Sequence, residues 1–556
     1  MKNLLSILLL FAAINSLARN VTATVTSGQV NAPNAQSTYS LVGGDTLNIN
    51  STATSYCNVG NITGTPSAHI VVRNIGSKIN VTSTFTYLEL TGTLQYVDFI
   101  FTDPADSING YGLSIRNSTY RSIVISGKYQ HCTMRGVDVY GAGDYSFFGN
   151  HSRTYTGALD DMNYKNLFSH IRVKRSAGTP FQFGFSAGNY WDSLHFTDII
   201  VDSINVGFVW ALEDNFNIEV DHFRVTNIGL TEVGHTAMIF CRGNGSVHNG
   251  YMYNFWGDGV RWLGITLVNS KADPMGDCKF YNNIVINSRK YSAGEQNTQP
   301  SDTSATWIRP VNYYWENNTV GQLNAADYYT GGGSGGGGAA FDIYYGFGIN
   351  KIRNNIYFNC YRDKGQGISG LNYLWHNGNG STVPDTSNNK YSTDGLSLLS
   401  DTITGAINPT GAAVGTGLTI SYITTDNADI TRTVPYDIGA FKYVTAGSPP
   451  SCTTNLLPVN GSTVTGTTSA TLTWNAASGA TFYEVYGPYL GGTPPSTPTY
   501  TTSGTTVTAT GLVANSVYHY YVKPSNIYGD ATGCATSNTQ FSTASIVYIH
   551  WKLKRK

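Results

Sequence analysis

Charge is what this 556-residue chain has least of: Asp, Glu, Lys and Arg together make up only 12% of it. With 33 basic against 34 acidic residues there is no basic surplus to draw a phosphate backbone, which argues against nucleic acid as a partner. Glutamate is scarcest, with only Glu89, Glu213, Glu219, Glu232, Glu295, Glu316 and Glu484 in the whole chain. Seven cysteines occur without a single CxxC, so a thiolate metal site is not expected. Cys57, Cys132, Cys241, Cys278 and Cys360 read as small buried hydrophobes. Long hydrophobic runs are missing too. The apolar stretch Leu4 to Ile14 is too short to span a bilayer comfortably, and no later one is longer. From about residue 43 to about residue 445 no segment has a convincing amphipathic-helix period. Low charge combined with 61 Gly, 38 Tyr and abundant β-branched residues points to a packed all-β protein, not a disordered one.

What is present begins with Lys2, the apolar run and Ser16-Leu17-Ala18, the three parts of a secretory signal peptide over residues 1–18. Export is therefore expected, to the extracellular space or cell surface. The formal charge would then change from −1 to −2 as Lys2 is lost. An exported protein permits a disulfide, and Cys452 and Cys534 are the candidates, with their pairing left open by the sequence.

The chain is organised by one recurring phrase. Tyr281-Asn282-Asn283-Ile284-Val285-Ile286-Asn287 returns as Glu316-Asn317-Asn318-Thr319-Val320, as Arg353-Asn354-Asn355-Ile356-Tyr357, and more weakly as Ser387-Asn388-Asn389-Lys390-Tyr391. A polar turn before a short β-branched and aromatic strand, repeated at this period, is the mark of a solenoid. Asparagine suits the turn because it tolerates left-handed backbone and bonds nearby backbone groups. Stacked on coils about 4.8 Å apart, such side chains can also bond one another. The asparagines at 283, 318 and 355 are accordingly expected at one corner. Ser288–Ile308 and Ala325–Ala340, with its run of glycines, read as inserts. The glycine run lacks the Lys-Ser/Thr ending of a phosphate-cradling loop.

Gly43-Gly44-Asp45-Thr46-Leu47-Asn48-Ile49 resembles the opening of right-handed parallel β-helix proteins of the pectate-lyase-like superfold. Asp437-Ile438-Gly439-Ala440-Phe441 resembles the closing motif of secreted bacterial members. Gly234-His235-Thr236-Ala237, Gly257-Asp258-Gly259-Val260-Arg261 and Ser288-Arg289-Lys290-Tyr291-Ser292 resemble segments of exported β-helix repeat proteins of Bacteroidetes type, a likeness that carries fold and export but no catalytic assignment. Residues 19–445 are thus expected to form a parallel β-helix and 446–450 a linker. Residues 451–544 resemble a fibronectin type III β-sandwich, with Trp474 in its core and Gly511-Leu512 before a tyrosine-rich strand. A basic tail, 545–556, follows.

The densest polar constellation is His235, Arg242, His248, Asp258, Arg261, Arg289, Lys290, Tyr291 and Glu295. The hydrolase signature of β-helix pectinases is incomplete: Asp160-Asp161 and Gly234-His235 are present, but Asn-Thr-Asp and Arg-Ile-Lys are not. Cleaving a uronic-acid polymer by β-elimination needs a base for the C5 proton, an acid for the leaving oxygen and a cation on the carboxylate. Lys290 or Arg289 fits the base and Tyr291 or His235 the acid. Glu295 is a further catalytic candidate. Arg261 fits the carboxylate cation, with Arg242, His248 and Asp258 as further substrate contacts. In β-helix lyases Ca²⁺ is an alternative holder of the carboxylate, so the resemblance allows that ion without requiring it. Like charge from Arg289 is expected to ease deprotonation of Lys290. Two function classes follow: a monomeric enzyme cleaving an acidic polysaccharide by elimination or hydrolysis, and a non-catalytic glycan binder or adhesin.

Overall fold

The computed structural model describes residues 18–82, 86–103, 105, 110–150, 162–184, 190–229, 236–263, 265–266, 276–297, 307–308, 312–323, 339–344, 348–362, 370–371, 374–378, 382–408, 410–443, 449–466, 468–491, 493–526, 529–534 and 539–545. The expected signal segment (all but Ala18), His235, the whole glycine run and all but the first residue of the basic tail lie outside these. The chain divides into two compact units, Met1–Tyr443 and Val444–Lys556.

The first unit is nearly all β. Strands pair in parallel with the strand one coil later, in three ladders. Ladder A runs through Asp258–Leu263, Gly294–Asn297, Phe341–Tyr344 and Trp375–Gly378. Ladder B takes in Cys278–Tyr281, Asn312–Glu316 and Ile349–Arg353. Ladder C takes in Tyr251–Phe255, Ile284–Ser288, Thr319–Leu323 and Ile356–Arg362. The alternation of strand residues sends every second side chain into one continuous core of Val, Ile, Leu, Phe and Trp. The five cysteines of the first unit are buried thiols in that core.

The Asn-Asn corner joins ladder B to ladder C, and its two asparagines divide the work. The first sits in left-handed backbone, with φ of 54° at Asn282, 55° at Asn317 and 55° at Asn354. The second builds the ladder. Asn283 N–H donates to Asn318 Oδ1, Asn318 N–H to Asn355 Oδ1 and Asn355 N–H to Asn389 Oδ1, each at 2.9 Å. Each amide also reaches back, Asn318 Nδ2 donating to Phe280 O at 2.9 Å. Where the corner reads His248-Asn249-Gly250, glycine takes the second place because a Cβ there would lie 2.0 Å from the Phe223 ring. Replacing Asn318 by Leu strips a buried N–H and a carbonyl of their partners. It should cost about 1–3 kcal/mol in denaturant unfolding; an unchanged midpoint would contradict the ladder's contribution.

A five-residue helix, Ala35–Tyr39, anchored by buried Ala35, forms ahead of the stretch read as free of helix. One reading of the sequence changes. Ser288–Ile308 is not one insert: Ser288 closes a ladder C strand and Gly294–Asn297 is a ladder A strand, so regular structure reaches residue 297. Short alternation with several small polar residues hid that strand.

After Ser392 the chain turns back along ladder C, and Leu398, Leu399, Ile407, Ile438 and Ala440 cover its outward Ile284, Ile286, Ile356 and Phe358. The expected closing motif ends this strap. Gly439 has φ of 100°, and a Cβ there would meet Ile356 Cδ1 at 2.7 Å.

The second unit has a two-stranded sheet, Ser469–Thr473 with Thr506–Thr510, and a larger sheet built on Phe482–Leu490 and Val517–Asn526. Both contribute to one core containing Trp474, Tyr483, Val485, Tyr520 and Phe541. Tyr518 OH accepts from Val513 N–H at 2.8 Å, pinning the turn before its own strand. Cys452 and Cys534 are joined by a disulfide, with Cα atoms 5.4 Å apart.

Candidate functional site

Ladder A brings four ionisable side chains into one column. Arg261 is opposite Glu295, Glu295 opposite Asp342, and Asp342 opposite His376 on four successive coils. Their strand neighbours Val260, Trp262, Phe341 and Ile343 point into the core, so these four point outward. Outward does not mean exposed here. The Glu295 and Asp342 side chains are only 2% and 3% exposed, against 17% for Arg261 and 15% for His376.

Burial sets the electrostatics. Arg261 Nε lies 3.2 Å from Glu295 Oε1, an ion pair not aligned as a hydrogen bond. His376 Nδ1 approaches Asp342 Oδ1 at 3.5 Å, again without hydrogen-bond alignment. Loss of water therefore outweighs the imidazole and pushes the Asp342 carboxyl up to about 7, with the negative charges of Asp258 and Glu295 adding to the rise.

At the corner entering this ladder, Lys290 is buried, its ammonium 4.3 Å from the centroid of the Tyr291 ring and 5.9 Å from that of Trp256. Burial lowers its pKa and Asp258 partly restores it. The expected direction is present, but its cause is desolvation and not the neighbouring Arg289, whose backbone N–H bonds Phe255 O at 2.8 Å. Asp258 is fully buried, and its Oδ1 accepts from Ser292 N–H at 2.9 Å and Ser292 Oγ–H at 2.6 Å. Tyr291 is buried, with φ of 74°. Arg242 stands on the same outward face, 3.7 Å from Glu213.

Of the residues expected at a site, Asp258, Arg261, Lys290, Tyr291 and Glu295 thus fall together on or beside ladder A, and Arg289 adjoins them. His248 does not. It belongs to ladder B, opposite Asp221 and Tyr281, and stacks on the Tyr281 ring at 4.5 Å. Asp342 and His376 complete the column and were missed. The signal available for Asp342 was a lone carboxylate within the apolar run Ala339-Ala340-Phe341-Asp342-Ile343.

No family model matches the chain, and no curated protein matches it. Among solved structures it is similar to a PL6 family polysaccharide lyase from Pseudopedobacter saltans, at 10% identity and a TM-score of 0.33 over 75% of this chain and 99% of that one. It is similar to a mutant of the PL6 family alginate lyase AlyGC at 11% identity and a TM-score of 0.32, over 79% of this chain and 61% of that one. The structure titled FN3tt aligns over 17% of this chain and 98% of its own length, at 17% identity and a TM-score of 0.15. Superpositions this loose carry neither fold nor chemistry across. Both rest on the pairing and the distances above.

Proposed function

We propose that this chain is a secreted carbohydrate-active protein, a right-handed parallel β-helix of pectate-lyase-like type with a fibronectin type III-like module, that cleaves an acidic polysaccharide on the outward face of ladder A. One observation carries the reading: a carboxyl held half-protonated near neutral pH, Asp342, stands in register with Glu295 and Arg261 beside a buried lysine of lowered pKa. These are the acid, the cation and the base that β-elimination requires.

In this scheme the neutral amine of Lys290 takes the C5 proton of a uronic acid. The C4–O bond breaks with its electron pair leaving on oxygen, which receives a proton from Asp342. A C4–C5 double bond remains in the product. Arg261 steadies the carboxylate as charge builds at C5, Glu295 fixes the guanidinium, and Tyr291 packs the lysine in place. The hydrolytic alternative uses the same two carboxyls, since Glu295 and Asp342 stand opposite each other on adjacent coils and a retaining mechanism needs such a close pair.

The test is a screen of the purified chain on uronic-acid polymers, following absorbance of the unsaturated product. Lys290→Ala should abolish it, and Arg261→Ala should raise KM and slow turnover. Full activity in both variants on a polymer the parent cleaves would place the site elsewhere. New reducing ends without absorbance would mean hydrolysis.

Binding without cleavage would favour the adhesin reading, which has its own supporting feature on ladder B. A pocket of ≈ 360 Å³ is lined there by Lys279, Lys351, Arg353, Tyr314 and Tyr422. Lys279 Nζ lies 4.7 Å from the Tyr422 ring centroid and Lys351 Nζ 5.3 Å from that of Tyr314, cations and rings suited to an anionic sugar.

A further inference from the structure

A second cluster lies apart from the ladder A column, on the outward face of ladder B. His195 is opposite Glu219, Thr197 opposite Asp221, and Asp221 opposite His248, so three coils contribute. Phe196, Val220 and Val247 occupy the intervening core positions, which turns all four polar side chains outward.

From this arrangement we infer a binding site for a Zn²⁺-class divalent ion held by His195, Glu219, Asp221 and His248.

The distances support it. His195 Nε2 is 2.9 Å from Asp221 Oδ2, His248 Nε2 is 3.2 Å from Glu219 Oε1, and His248 Nε2 is 3.9 Å from Asp221 Oδ2. One ligand atom from each of His195, Glu219 and Asp221 lies within 4.8 Å of the others. Tetrahedral zinc with bonds of roughly 2.0–2.2 Å separates its ligand atoms by about 3.3–3.6 Å, so small adjustments suffice for His195, Glu219 and Asp221, and His248 joins them by turning its Nε2 from Glu219 toward the ion. Two carboxylates match the charge of the ion. Two imidazoles select a borderline-soft metal over Ca²⁺, which takes oxygen ligands.

The surroundings also fit. Asp221 is nearly buried, and its second oxygen, Oδ1, accepts from His222 Nδ1 at 3.0 Å; His222 Nε2 in turn faces Asp429 at 2.9 Å. A ligating carboxylate oriented by a hydrogen-bonded partner is what a fixed metal site needs around it. The His248 ring is held by stacking on Tyr281. His195 and Glu219 are 35% and 44% exposed, leaving the ion an approach from solvent and room for water. Such an ion would cross-link three consecutive coils, and the inference stands independently of the reaction proposed for ladder A.

Calorimetric titration of the metal-stripped full chain with ZnCl₂, and separately with CaCl₂, tests it. One Zn²⁺ per chain is expected. His195→Ala and Glu219→Gln, both at half-buried side chains that point away from the core, should each weaken binding at least tenfold while circular dichroism stays unchanged. Ca²⁺ in the same range should not displace Zn²⁺. Three outcomes would overturn the site: no stoichiometric Zn²⁺ binding, undiminished affinity in the double variant, or displacement of Zn²⁺ by equimolar Ca²⁺.

Discussion

Replacing Asp342 by Asn is expected to lower turnover about 10²–10⁴-fold, the usual worth of a positioned proton donor, while making the folded protein more stable above pH 7. The two effects have one cause. In the unfolded chain this carboxyl titrates near 3.8, but in the fold burial raises it to about 7. Between those values folding takes up a proton, so the contribution of this carboxyl to stability is most favourable below about pH 4, falls as pH rises from about 4 to 7, and then levels off. The ionised, buried carboxylate costs the native state on the order of 2–4 kcal/mol at pH 8. Asparagine carries no such charge and is nearly isosteric. Denaturant unfolding of parent and variant at pH 5 and pH 8 gives the first measurement: the variant should gain at pH 8 relative to pH 5. Turnover gives the second. A merely structural Asp342 would leave turnover intact; a variant equally destabilised at both pH values would contradict the raised pKa.

The stacked Asn-Asn corners were legible because their signal is local and repeated. An Asn-Asn corner needs only two adjacent residues, and backbone geometry demands the same two on each coil. Lys290, Arg261, Asp258 and Glu295 were legible as unusual polar density in a chain poor in charge. Asp342 and His376 were not, because the connections before them are long and of unequal length. The period that aligns Asn283 with Asn318 therefore does not align Glu295 with Asp342, although the fold stacks both pairs alike. The cause of the Lys290 shift was equally hidden. Arg289 is adjacent in sequence, but Trp256 and Tyr291 do the desolvating, and packing of Trp256 against Lys290 exists only once coils are stacked. His248 was grouped with ladder A residues because sequence nearness cannot tell one face of a coil from the next.

The strap that closes the first unit depends on one side chain to a degree no sequence pattern indicated. Arg432 is 5% exposed, and burial lowers its pKa to about 10. Its guanidinium donates from Nε to Thr425 O at 3.2 Å and from Nη1 to Asp437 O at 3.1 Å. Nη2 donates to Asn282 Oδ1 at 2.9 Å, Gly439 O at 2.9 Å and Ala440 O at 3.0 Å. The planar fork thereby ties two limbs of the strap to each other and both to an Asn-Asn corner. Arg432→Met keeps much of the volume but removes five donated bonds, leaves Asn282 Oδ1 without its guanidinium donor, and removes the cation facing Asp426 and Asp437. A loss of about 3–5 kcal/mol is expected, comparable to breaking a buried charged network. Arg432→Lys should lie closer to Met than to the parent, since an ammonium offers three donors and no planar fork. Hydrogen exchange should show the amides of Ala440 and Lys442, bonded to Thr319 Oγ1 and Asp426 Oδ2, opening before those of the Asn283 ladder. If Arg432→Met unfolds within 0.5 kcal/mol of the parent, or if strap and ladder exchange together, the strap is held by its apolar face on ladder C and not by the arginine.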